Sequence, residues 1–512
     1  MNPADPFAGY SILLRTLIYG VLPLFGAFQF VRLRRALHIY QLESYKRHWF
    51  LRWCRENRSQ ALFLKGFTGA KKPLVMTGRA WRMLIAATAL SVVSVLVPAG
   101  LVHIWLGGWP LDVIAFIGLM AAVFLASPRL LLAGDLVMTP VQKAINAGFL
   151  RRARRRLDEL DPIVIGVTGS FGKTSTKAAI AHLLGPRAEV LATPGSFNTT
   201  LGVSRTINEN LTPSHRYFVV EMGARQAGDI AEIASFVKHR IAVLTAIGPA
   251  HLETFGSIDG VRKAKSEILT TLPPDGIAVL NVDDPNVRSV AVEHPGMTVV
   301  RYGIEADGHP DITVEELWIV ERGTAMTIVD RRSGDKVHVK TKLLGRHAVG
   351  HVLAAVAVAT AVGRTLGEMK DAIESMEPVE HRLQIIEGTG GVTVIDDAYN
   401  SNPAGAAAAL EVLAQMPGRR KVVVTPGMVE LGAEQAKANT EFGRHAATVA
   451  DTLIVVAKLN RAAIVAGARS VDGDCDVVVV DSLTEATHRL QGLLAPGDVV
   501  LFENDLPDQY EI

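Results

Sequence analysis

The stretch that decides the fold is "PIVIGVTGSFGKTSTK", from Pro162 to Lys177. Its β-branched apolar run is typical of a buried strand. Gly169 and Gly172 then let the backbone turn and bring its N–H groups toward anionic oxygens, and the positive end of the following helix dipole adds to that attraction. A strand, a Gly-Lys-Thr sequence and a helix start in this order predict a nucleotide-phosphate loop.

Each polar residue of the loop has an expected role. Lys173 is placed to reach the β- and γ-phosphates of a nucleotide, and the Thr174 hydroxyl is placed to bind Mg²⁺. The predicted cofactor-binding residues of the loop are Thr168, Gly169, Ser170, Gly172, Lys173, Thr174 and Ser175. The strict G-x-x-x-x-G-K-[ST] spacing is not met, because Val167 stands five positions before Gly172. An ordinary glycine-rich turn is the alternative interpretation.

Around the loop, from residue 160 onward, short β-branched runs alternate with Ala-rich helical stretches. Buried strands are predicted in "PIVIGVTG", "YFVVEMG", "IAVLTAIG" and "GIAVLNVDD", with room between them for crossover helices. A more polar region from about Pro310 to Lys342 predicts antiparallel strands. A second series begins near Gly388 with "VTVIDD", "KVVVTPG", "TLIVVA", "DVVVVDS" and "DVVLFEN". The expected fold class is therefore α/β, with two domains built on parallel sheets.

The first third of the chain differs in composition. A chain of 512 residues exceeds one ordinary core, and 49% hydrophobic residues with a mean hydropathy of +0.24 indicate that part of it lies in lipid. Three membrane spans are predicted, at Tyr10–Val31, at Met83–Trp105 and at Leu111–Ala126 with the leucines that follow. A signal peptide is the alternative for the first span, which lacks a basic start and a small-residue cleavage site.

The charge of the loops predicts the orientation. The segment between the first two spans is rich in Lys and Arg, and "RRARRR" (Arg151 to Arg156) follows the third. By the positive-inside tendency both are cytoplasmic, which predicts a multi-pass protein of the inner (plasma) membrane with cytoplasmic catalytic domains. Nucleic-acid binding is the alternative for these basic runs, but the flanking apolar spans favour anionic membrane lipid as the partner. Cys54 and Cys475 are too few for a disulfide framework.

The motifs after the loop narrow the choice among nucleotide-binding enzymes. They are, in order, "FVVEMGA", "GPAHLETFGS", "RKAKSEI" and "NVDD". Together with the loop they resemble the Mur ligases, and most closely those members that add D-alanyl-D-alanine to a cytoplasmic wall precursor. The resemblance covers about residues 160 to 500. It implies a central ATP-binding domain at 158–379 and a Rossmann-like C-terminal domain at 380–512, while the apolar segments predict a membrane region at 1–157.

The resemblance also implies metal ligands. Thr174 and Glu221 would hold one Mg²⁺, and His251 would help to hold a second. Lys265 would react with CO₂ to form a carbamate, which turns a cation into an anionic ligand.

Further roles follow from matching positions in the family. Asn281 in "LNVDD" would lie on the nucleotide side, and Arg382 in "EHRLQ" near the γ-phosphate. "IDDAYNSNP" resembles the family's "DDSYNANP", so Asp397 and Asn400 would reach the reaction centre. The predicted catalytic residues are Lys173, Lys265, Arg382, Asp397 and Asn400. The implied reaction is amide formation, in which ATP phosphorylates a carboxylate and an amine attacks the acyl phosphate.

The sequence also departs from the family. Ala246, Ala348 and His351 stand where the relatives usually have asparagine on the nucleotide side. "VTPGMVELG" replaces "LGDMLELG", and "LFENDLPDQY" stands where the D-alanyl-D-alanine enzyme has "KGSR". The predicted spans occupy the place of the family's UDP-binding amino-terminal domain. A different amine or acceptor is therefore expected.

Four functions remain open from the sequence. The main hypothesis is a membrane-anchored amide ligase that acts on an envelope precursor, with a lipid-linked carboxylate as acceptor and an amino acid or dipeptide as amine. Two alternatives use the same chemistry: a ligase for a soluble UDP-linked precursor and a synthetase of a poly-γ-glutamate-type polymer. The fourth is a nucleotide-binding membrane module that uses ATP as a switch or for transport, and the presence of Lys265, Asp397 and Asn400 argues against it.

Overall fold

The computed structural model describes most of the chain. The described residues are 12–43, 45–58, 61, 73–106, 111–186, 189–249, 252–293, 296–320, 323–399, 401–456 and 458–505. Two compact units are present, residues 1–148 and residues 149–511. His251 and Asn400, both predicted to be site residues, lie outside the described residues.

The first unit is helical. Its described helices are α1 Ile12–Leu42, α2 Arg47–Glu56, α3 Gly78–Leu106, α4 Leu111–Leu125 and the first part of α5 Ser127–Leu160. By length and composition one helical segment could cross a membrane, Gly78–Val102 with a mean hydropathy of 2.2. The segments Val113–Leu125 and Ser127–Leu160, bent by 74°, pass the same test only as a pair. The described residues thus offer one or two candidate spans, and the predicted three are not confirmed.

A buried carboxylate links four helices of the first unit. Asp135 on α5 accepts hydrogen bonds from Arg47 Nε at 2.8 Å, from Arg79 Nη2 at 3.2 Å and from the Tyr40 hydroxyl at 3.0 Å. These donors come from α2, α3 and α1, and Asp135 itself is 5% exposed. Because a buried charge is costly unless it is paired, this cluster favours one arrangement of the helices within the unit.

The second unit begins with a nine-stranded sheet of order β2-β3-β1-β4-β5-β6-β7-β8-β9. Its strands are β1 Ile163–Thr168, β2 Val190–Ala192, β3 Tyr217–Glu221, β4 Ile241–Leu244, β5 Ile277–Asn281, β6 Thr298–Tyr302, β7 Ile312–Val320, β8 Gly323–Asp330 and β9 Asp335–Thr341. The pairs from β2 to β7 are parallel and the last two are antiparallel. The four strands predicted around the phosphate loop and the antiparallel region after Pro310 are confirmed.

Helices cover both faces of this sheet. They are α6 Lys173–Leu184, α7 Thr200–Asn210, α8 Asp229–Val237, α9 Leu252–Phe255, α10 Ile258–Thr270, α11 Pro285–Glu293, α12 Gly345–Ala361 and α13 Leu366–Glu374. The run from Val352 to Ala359 on α12 is buried on every side, since small Ala and Val side chains let α6 and the sheet approach closely. This packing sets α12 beside the phosphate loop.

A second, six-stranded sheet follows, with the order β10-β11-β15-β12-β13-β14. Its strands are β10 Gln384–Glu387, β11 Thr393–Asp397, β12 Lys421–Thr425, β13 Thr452–Val456, β14 Asp476–Val480 and β15 Val499–Glu503. Its helices are α14 Pro403–Gln415, α15 Gln435–Val449, α16 Arg461–Arg469 and α17 Leu483–Leu493. All pairs except β10–β11 are parallel, so the five predicted strands of this series are confirmed. Their carboxyl ends share one edge, where open α/β sheets bind ligands.

Candidate active site

The phosphate loop joins β1 to α6 and requires glycine at two positions. Gly169 has a φ of 153° and Gly172 a φ of 76°. A Cβ at Gly169 would lie 2.9 Å from the backbone nitrogen of Ala246, and one at Gly172 would lie 2.7 Å from His351 Cε1. Both positions therefore exclude a side chain, by conformation and by contact. The loop holds its backbone against the neighbouring β4–α9 segment, where Ser170 N donates to Ala246 O at 2.8 Å.

Lys173 begins α6 and folds back over the loop. Its Nζ donates to Gly169 O at 2.8 Å and to Ser170 O at 3.3 Å. Burial lowers the pKa of this ammonium, and Arg382 lowers it further, while Glu221 opposes both. A cation held only by carbonyl oxygens can exchange them for phosphate oxygens, which are stronger partners.

Glu221 ends β3 and receives three donors. Its Oε2 accepts from Thr174 Oγ1 at 3.0 Å and from Lys177 Nζ at 3.0 Å, and its Oε1 accepts from Asn198 Nδ2 at 3.1 Å. Burial by itself would raise the pKa of Glu221, but Lys177, Lys173 and the hydrogen bonds from Lys177 and Asn198 outweigh burial and lower it. The carboxylate therefore stays ionised.

Lys177 and Asn198 are site residues that the sequence reasoning missed. Lys177 lies one turn after Lys173 on α6, and that spacing was a usable signal. Asn198 follows β2 in "GSFNTTLG", a polar stretch after a strand whose position gave a weaker signal.

The residues present at this point suit Mg²⁺. Thr174 offers a hydroxyl and Glu221 a carboxylate, a pair of oxygen ligands that leaves positions for water and phosphate. Within the described part of the chain no cluster of three or more His, Cys, Asp or Glu side chains could hold a metal ion. A transition-metal site of that kind is thus not formed by these residues, and the predicted second ligand, His251, lies outside them.

Lys265 lies on α10 and is almost completely buried, with 2% of its surface exposed. Burial is the largest cause that lowers the pKa of its ammonium to about 7, and Lys173 lowers it further, against Glu267, Asp229 and Glu221. At neutral pH about half of the amine is then neutral. A neutral amine is the form that reacts with CO₂.

The second half of the site comes from the start of the last domain. The Arg382 guanidinium lies 4.5 Å from the centre of the Tyr399 ring. Asp397 ends β11, and its Oδ1 accepts from Leu383 N at 3.2 Å. Burial raises the pKa of Asp397 to about 6, although Arg382 opposes the shift. His381 holds the adjacent Asp396 through Nδ1 at 2.7 Å.

These two halves face each other across a cavity of about 480 Å³. One part is polar and includes Gly172, Lys173, Thr174, Arg382 and Asp397. Another part is apolar and is lined by Ala178, Leu343, Met376, Pro378 and Val379. A cavity whose lining combines cations with apolar side chains offers partners for both parts of a nucleotide, its phosphates and its flat base.

Of the predicted site residues that the structure describes, five do not line this cavity: Thr168, Gly169, Glu221, Lys265 and Asn281. Glu221 and Lys265 are buried beside the loop, and Thr168 donates to Met222 O at 2.8 Å. Asn281 donates through Nδ2 to Thr245 O at 2.8 Å. Because Thr245 contacts the phosphate loop, Asn281 supports the loop from behind.

The sequence and the fold resemble known enzymes. The family model of the Mur ligase middle domain matches residues 167–359, and that of the Mur ligase glutamate ligase domain matches residues 381–503. UDP-N-acetylmuramoyl-tripeptide–D-alanyl-D-alanine ligase of Mycobacterium bovis is 34% identical over 358 residues, which span 66% of this chain and 69% of that enzyme. The Escherichia coli enzyme of the same name is 36% identical over 58% of this chain, and the match spans 65% of its length, just under two thirds.

Solved structures agree. The crystal structure of MurF from Acinetobacter baumannii gives a TM-score of 0.63 at 27% identity, covering 71% of this chain and 78% of that one. MurF from Thermotoga maritima in complex with ADP gives the same TM-score at 27% identity, covering 72% and 82%. The chain belongs to the Mur ligase family. That family consists of acid–amino-acid ligases of cell-wall synthesis that use ATP and Mg²⁺.

Two of the departures from other Mur ligases meet at the phosphate loop. His351 on α12 lies against Gly172, and its Nδ1 is 3.0 Å from the Thr176 hydroxyl. Burial lowers the pKa of His351 to about 3, with further contributions from His347 and Arg382, so the ring is neutral. Ala348, one turn earlier, lines the cavity and adds no polar group to it. At these two positions, where the sequence resemblance predicts asparagine, α12 presents an imidazole ring and a methyl group.

Proposed function

We propose that this Mur ligase forms an amide bond by ATP-dependent activation of a carboxylate in peptidoglycan synthesis. The observation that carries the proposal is the cavity in which Lys173 and Thr174 of the phosphate loop face Arg382 and Asp397 of the last domain. The loop holds the phosphates of ATP, and the last domain delivers the groups that act on the acyl phosphate. Because phosphate binding and action on the acyl phosphate come from different domains, the reaction requires both.

The two cations act on the transferring phosphoryl group. Lys173 leaves the loop carbonyls and binds phosphate oxygens, and Arg382 approaches from the opposite wall. Both stabilise charge that develops during transfer to the substrate carboxylate. Mg²⁺ held by Thr174 and Glu221 would neutralise further phosphate charge. Asp397, ionised above pH 6, attracts the ammonium of the second substrate.

Lys265 is proposed to act as a carbamate. Its amine is buried beside Lys173, Asp229 and Glu221, and its lowered pKa supplies the neutral form that CO₂ requires. The carbamate would add an anionic oxygen ligand next to Glu221, within reach of the charges that surround the phosphate loop. His251 and Asn400 keep their proposed roles as a metal ligand and as a reaction-centre residue.

The proposed substrates are those of the relatives. UDP-N-acetylmuramoyl-tripeptide would supply the carboxylate and D-alanyl-D-alanine the amine. The test is ADP release by the purified full-length protein with ATP, Mg²⁺ and both compounds, and with each compound left out. ADP release that needs both, with a product of the expected mass, supports the proposal, whereas ATP turnover without any amine would favour a nucleotide switch.

A lipid-linked carboxylate is a second candidate, and the first unit supports it. Large apolar side chains of its helices are exposed, among them Phe28, Val97, Ile104, Trp105 and Ile117. Exposed apolar surface on this scale marks contact with lipid or with another protein. An anchored enzyme and an anchored substrate share a surface, so their effective concentration replaces affinity for a nucleotide group.

The two acceptors can be compared directly. Matched lipid-linked and UDP-linked peptides are offered to the full-length protein in vesicles of anionic phospholipid. Faster turnover of the lipid-linked peptide supports membrane presentation at a multi-pass inner-membrane enzyme with cytoplasmic catalytic domains. Equal or faster turnover of the UDP-linked peptide removes it and leaves the soluble precursor as the substrate.

A further inference from the structure

A fully buried carboxylate ends the strand next to Asp397. Glu503 is the last residue of β15, which lies between β11 and β12 in the second sheet. β11 ends at Asp397 and β12 at Thr425, so the three side chains lie at the same carboxyl edge. Glu503 belongs to the stretch "LFENDLPDQY" (residues 501–510), of which the structure describes residues 501–505.

Each carboxylate oxygen of Glu503 is taken by one hydroxyl. Oε1 accepts a hydrogen bond from Ser401 Oγ, and Oε2 accepts one from Thr425 Oγ1 at 2.7 Å. Glu503 is 0% exposed, and no basic side chain among the described residues forms an ion pair with it. A buried carboxylate without a cation is costly, and stability alone does not explain its presence.

Ser401 connects this carboxylate to the cavity. It lines the cavity together with Asp397 and Asn402, while its hydroxyl donates to Glu503. Its backbone N–H donates to Asn504 Oδ1 at 3.1 Å, and Asn504 is itself held by Asp397 O. The hydrogen bond to Glu503 and the backbone hydrogen bond to Asn504 therefore hold the Ser401 hydroxyl between the cavity and the carboxylate.

The electrostatic surroundings suit a proton acceptor. Burial raises the pKa of Glu503 to about 7, the hydrogen bonds from Ser401 and Thr425 oppose that shift, and the Asp397 charge adds to it. A base with a pKa near the working pH is the most effective kind. Among the described residues, the charged group that acts on Glu503 is Asp397, because the hydrogen-bond partners Ser401 and Thr425 are neutral.

We propose that Glu503 and Ser401 form a proton relay that deprotonates the attacking amine. The inference rests on the proposed ligase function. The amine arrives as an ammonium ion, which cannot attack. Ser401 Oγ accepts one ammonium proton while the Ser401 hydroxyl proton passes to Glu503 Oε1, leaving a neutral amine, an unchanged serine and a neutral Glu503.

The remaining steps balance without another reagent. The amine nitrogen forms a bond to the acyl carbon, and the bond from that carbon to the phosphate oxygen breaks. The second proton lost by nitrogen leaves with the phosphate. Glu503 returns its proton through Ser401 to solvent when the products leave. Glu503 acts through Ser401 and is thus a relay residue behind the residues that touch substrate.

The test separates the relay from the steps before it. Wild type and Glu503→Gln are given ATP, Mg²⁺ and UDP-N-acetylmuramoyl-tripeptide, with either D-alanyl-D-alanine or hydroxylamine. Hydroxylamine is already neutral at pH 7 and traps the acyl phosphate without a base. We expect Glu503→Gln to lose about 100-fold in kcat with the dipeptide and to form hydroxamate at the wild-type rate.

The pH profile gives a readout that a structural role would not change. With the dipeptide, the wild-type kcat falls as the pH drops below about 7, where Glu503 becomes protonated. In Glu503→Gln the levelling of kcat above about pH 7 disappears, and the residual rate keeps rising about tenfold per pH unit with the fraction of neutral amine. Ser401→Ala is expected to behave like Glu503→Gln, and the double variant to be no slower than either.

Controls decide between the outcomes. Glu441→Gln removes an exposed carboxylate of the same domain, paired with Arg444, and should keep the wild-type profile. Equal loss of hydroxamate and amide in Glu503→Gln, or an unchanged pH profile, would overturn the relay. If Glu503→Gln does not fold, Ser401→Ala makes the same test. Absence of hydroxamate with wild type would instead refute the proposed function.

Discussion

The buried ion pair between Lys177 and Glu221 allows a quantitative prediction for Lys177→Met. Their side chains are 5% and 2% exposed, and Lys177 Nζ lies 3.0 Å from Glu221 Oε2. Methionine keeps the apolar stem and removes the charge. Loss of one partner of a buried pair costs about 3–5 kcal/mol. Since Thr174 and Asn198 still donate to Glu221, we expect the lower end, about 3 kcal/mol.

A double-mutant cycle isolates the pair. In the double variant Lys177→Met with Glu221→Gln neither charge of the pair remains. Its loss of unfolding free energy should therefore be about 2 kcal/mol smaller than the sum of the losses in the two single variants. The measurement is urea unfolding of the full-length protein in detergent, followed by pulse proteolysis of the second unit. Lys437→Met, which changes a lysine that is 84% exposed, is the matched control and should shift stability by less than about 0.5 kcal/mol.

Mg²⁺ with ATP should reduce the defect of Lys177→Met. A cation bound at Thr174 and Glu221 restores positive charge beside the carboxylate, so the ligand should stabilise Lys177→Met more than wild type. A loss below about 1 kcal/mol in Lys177→Met, or additive single effects, would show that the pair is not coupled as the structure implies.

Three further predictions concern the same unit. Lys173→Ala should abolish ATP-dependent ligation without unfolding the protein, because Nζ contacts carbonyl oxygens of the phosphate loop. Ligation at the wild-type rate, measured by ADP release, would contradict the role of the loop. Lys265→Ala should be nearly inactive and should regain part of its activity with acetate. The activity of wild type should depend more on added bicarbonate below pH 7, where the Lys265 amine is protonated. Full activity of the alanine variant would exclude the carbamate. The pKa of Glu503 is raised from 4.5 to about 7, so its contribution to stability is fully present below pH 4.5 and is lost as the pH rises through 7. The unfolding free energy of Glu503→Gln should therefore exceed that of wild type by up to about 3 kcal/mol at pH 8, with no such excess at pH 5. An equal difference at both pH values would refute the raised pKa.

Local patterns were sufficient for much of the fold. A buried strand, two glycines and a helix start are neighbours in the chain, so the phosphate loop between Thr168 and Lys173 could be predicted from its own residues. Most parallel strands of both sheets were predicted, because strands covered on both faces are continuous apolar runs, but Thr298–Tyr302 was not among them. Short or half-exposed strands such as Val190–Ala192 and Gln384–Glu387 were not predicted, since three or four residues are too few to show a repeating pattern of apolar side chains.

Sequence patterns were not sufficient to predict the membrane region or the contacts of buried polar side chains. Hydropathy indicated apolar segments, but whether a long apolar helix is covered by protein or exposed depends on its neighbours, and one or two candidate spans remain among the described residues. Asn281 was predicted from its place in a motif, yet its amide is directed to the backbone of Thr245.

Charge and proton chemistry at the site were decided by tertiary structure. Lys177 and Glu221 are 44 residues apart, and Ser401 and Glu503 are 102 apart, so no local pattern connects them. Folding brings each pair together and removes it from water, and the balance between that desolvation and the neighbouring charges and hydrogen bonds sets whether a carboxylate keeps or loses its proton. The sequence by itself determined which chemical groups and which phosphate loop this chain carries, while packing decided which groups meet and in which protonation state.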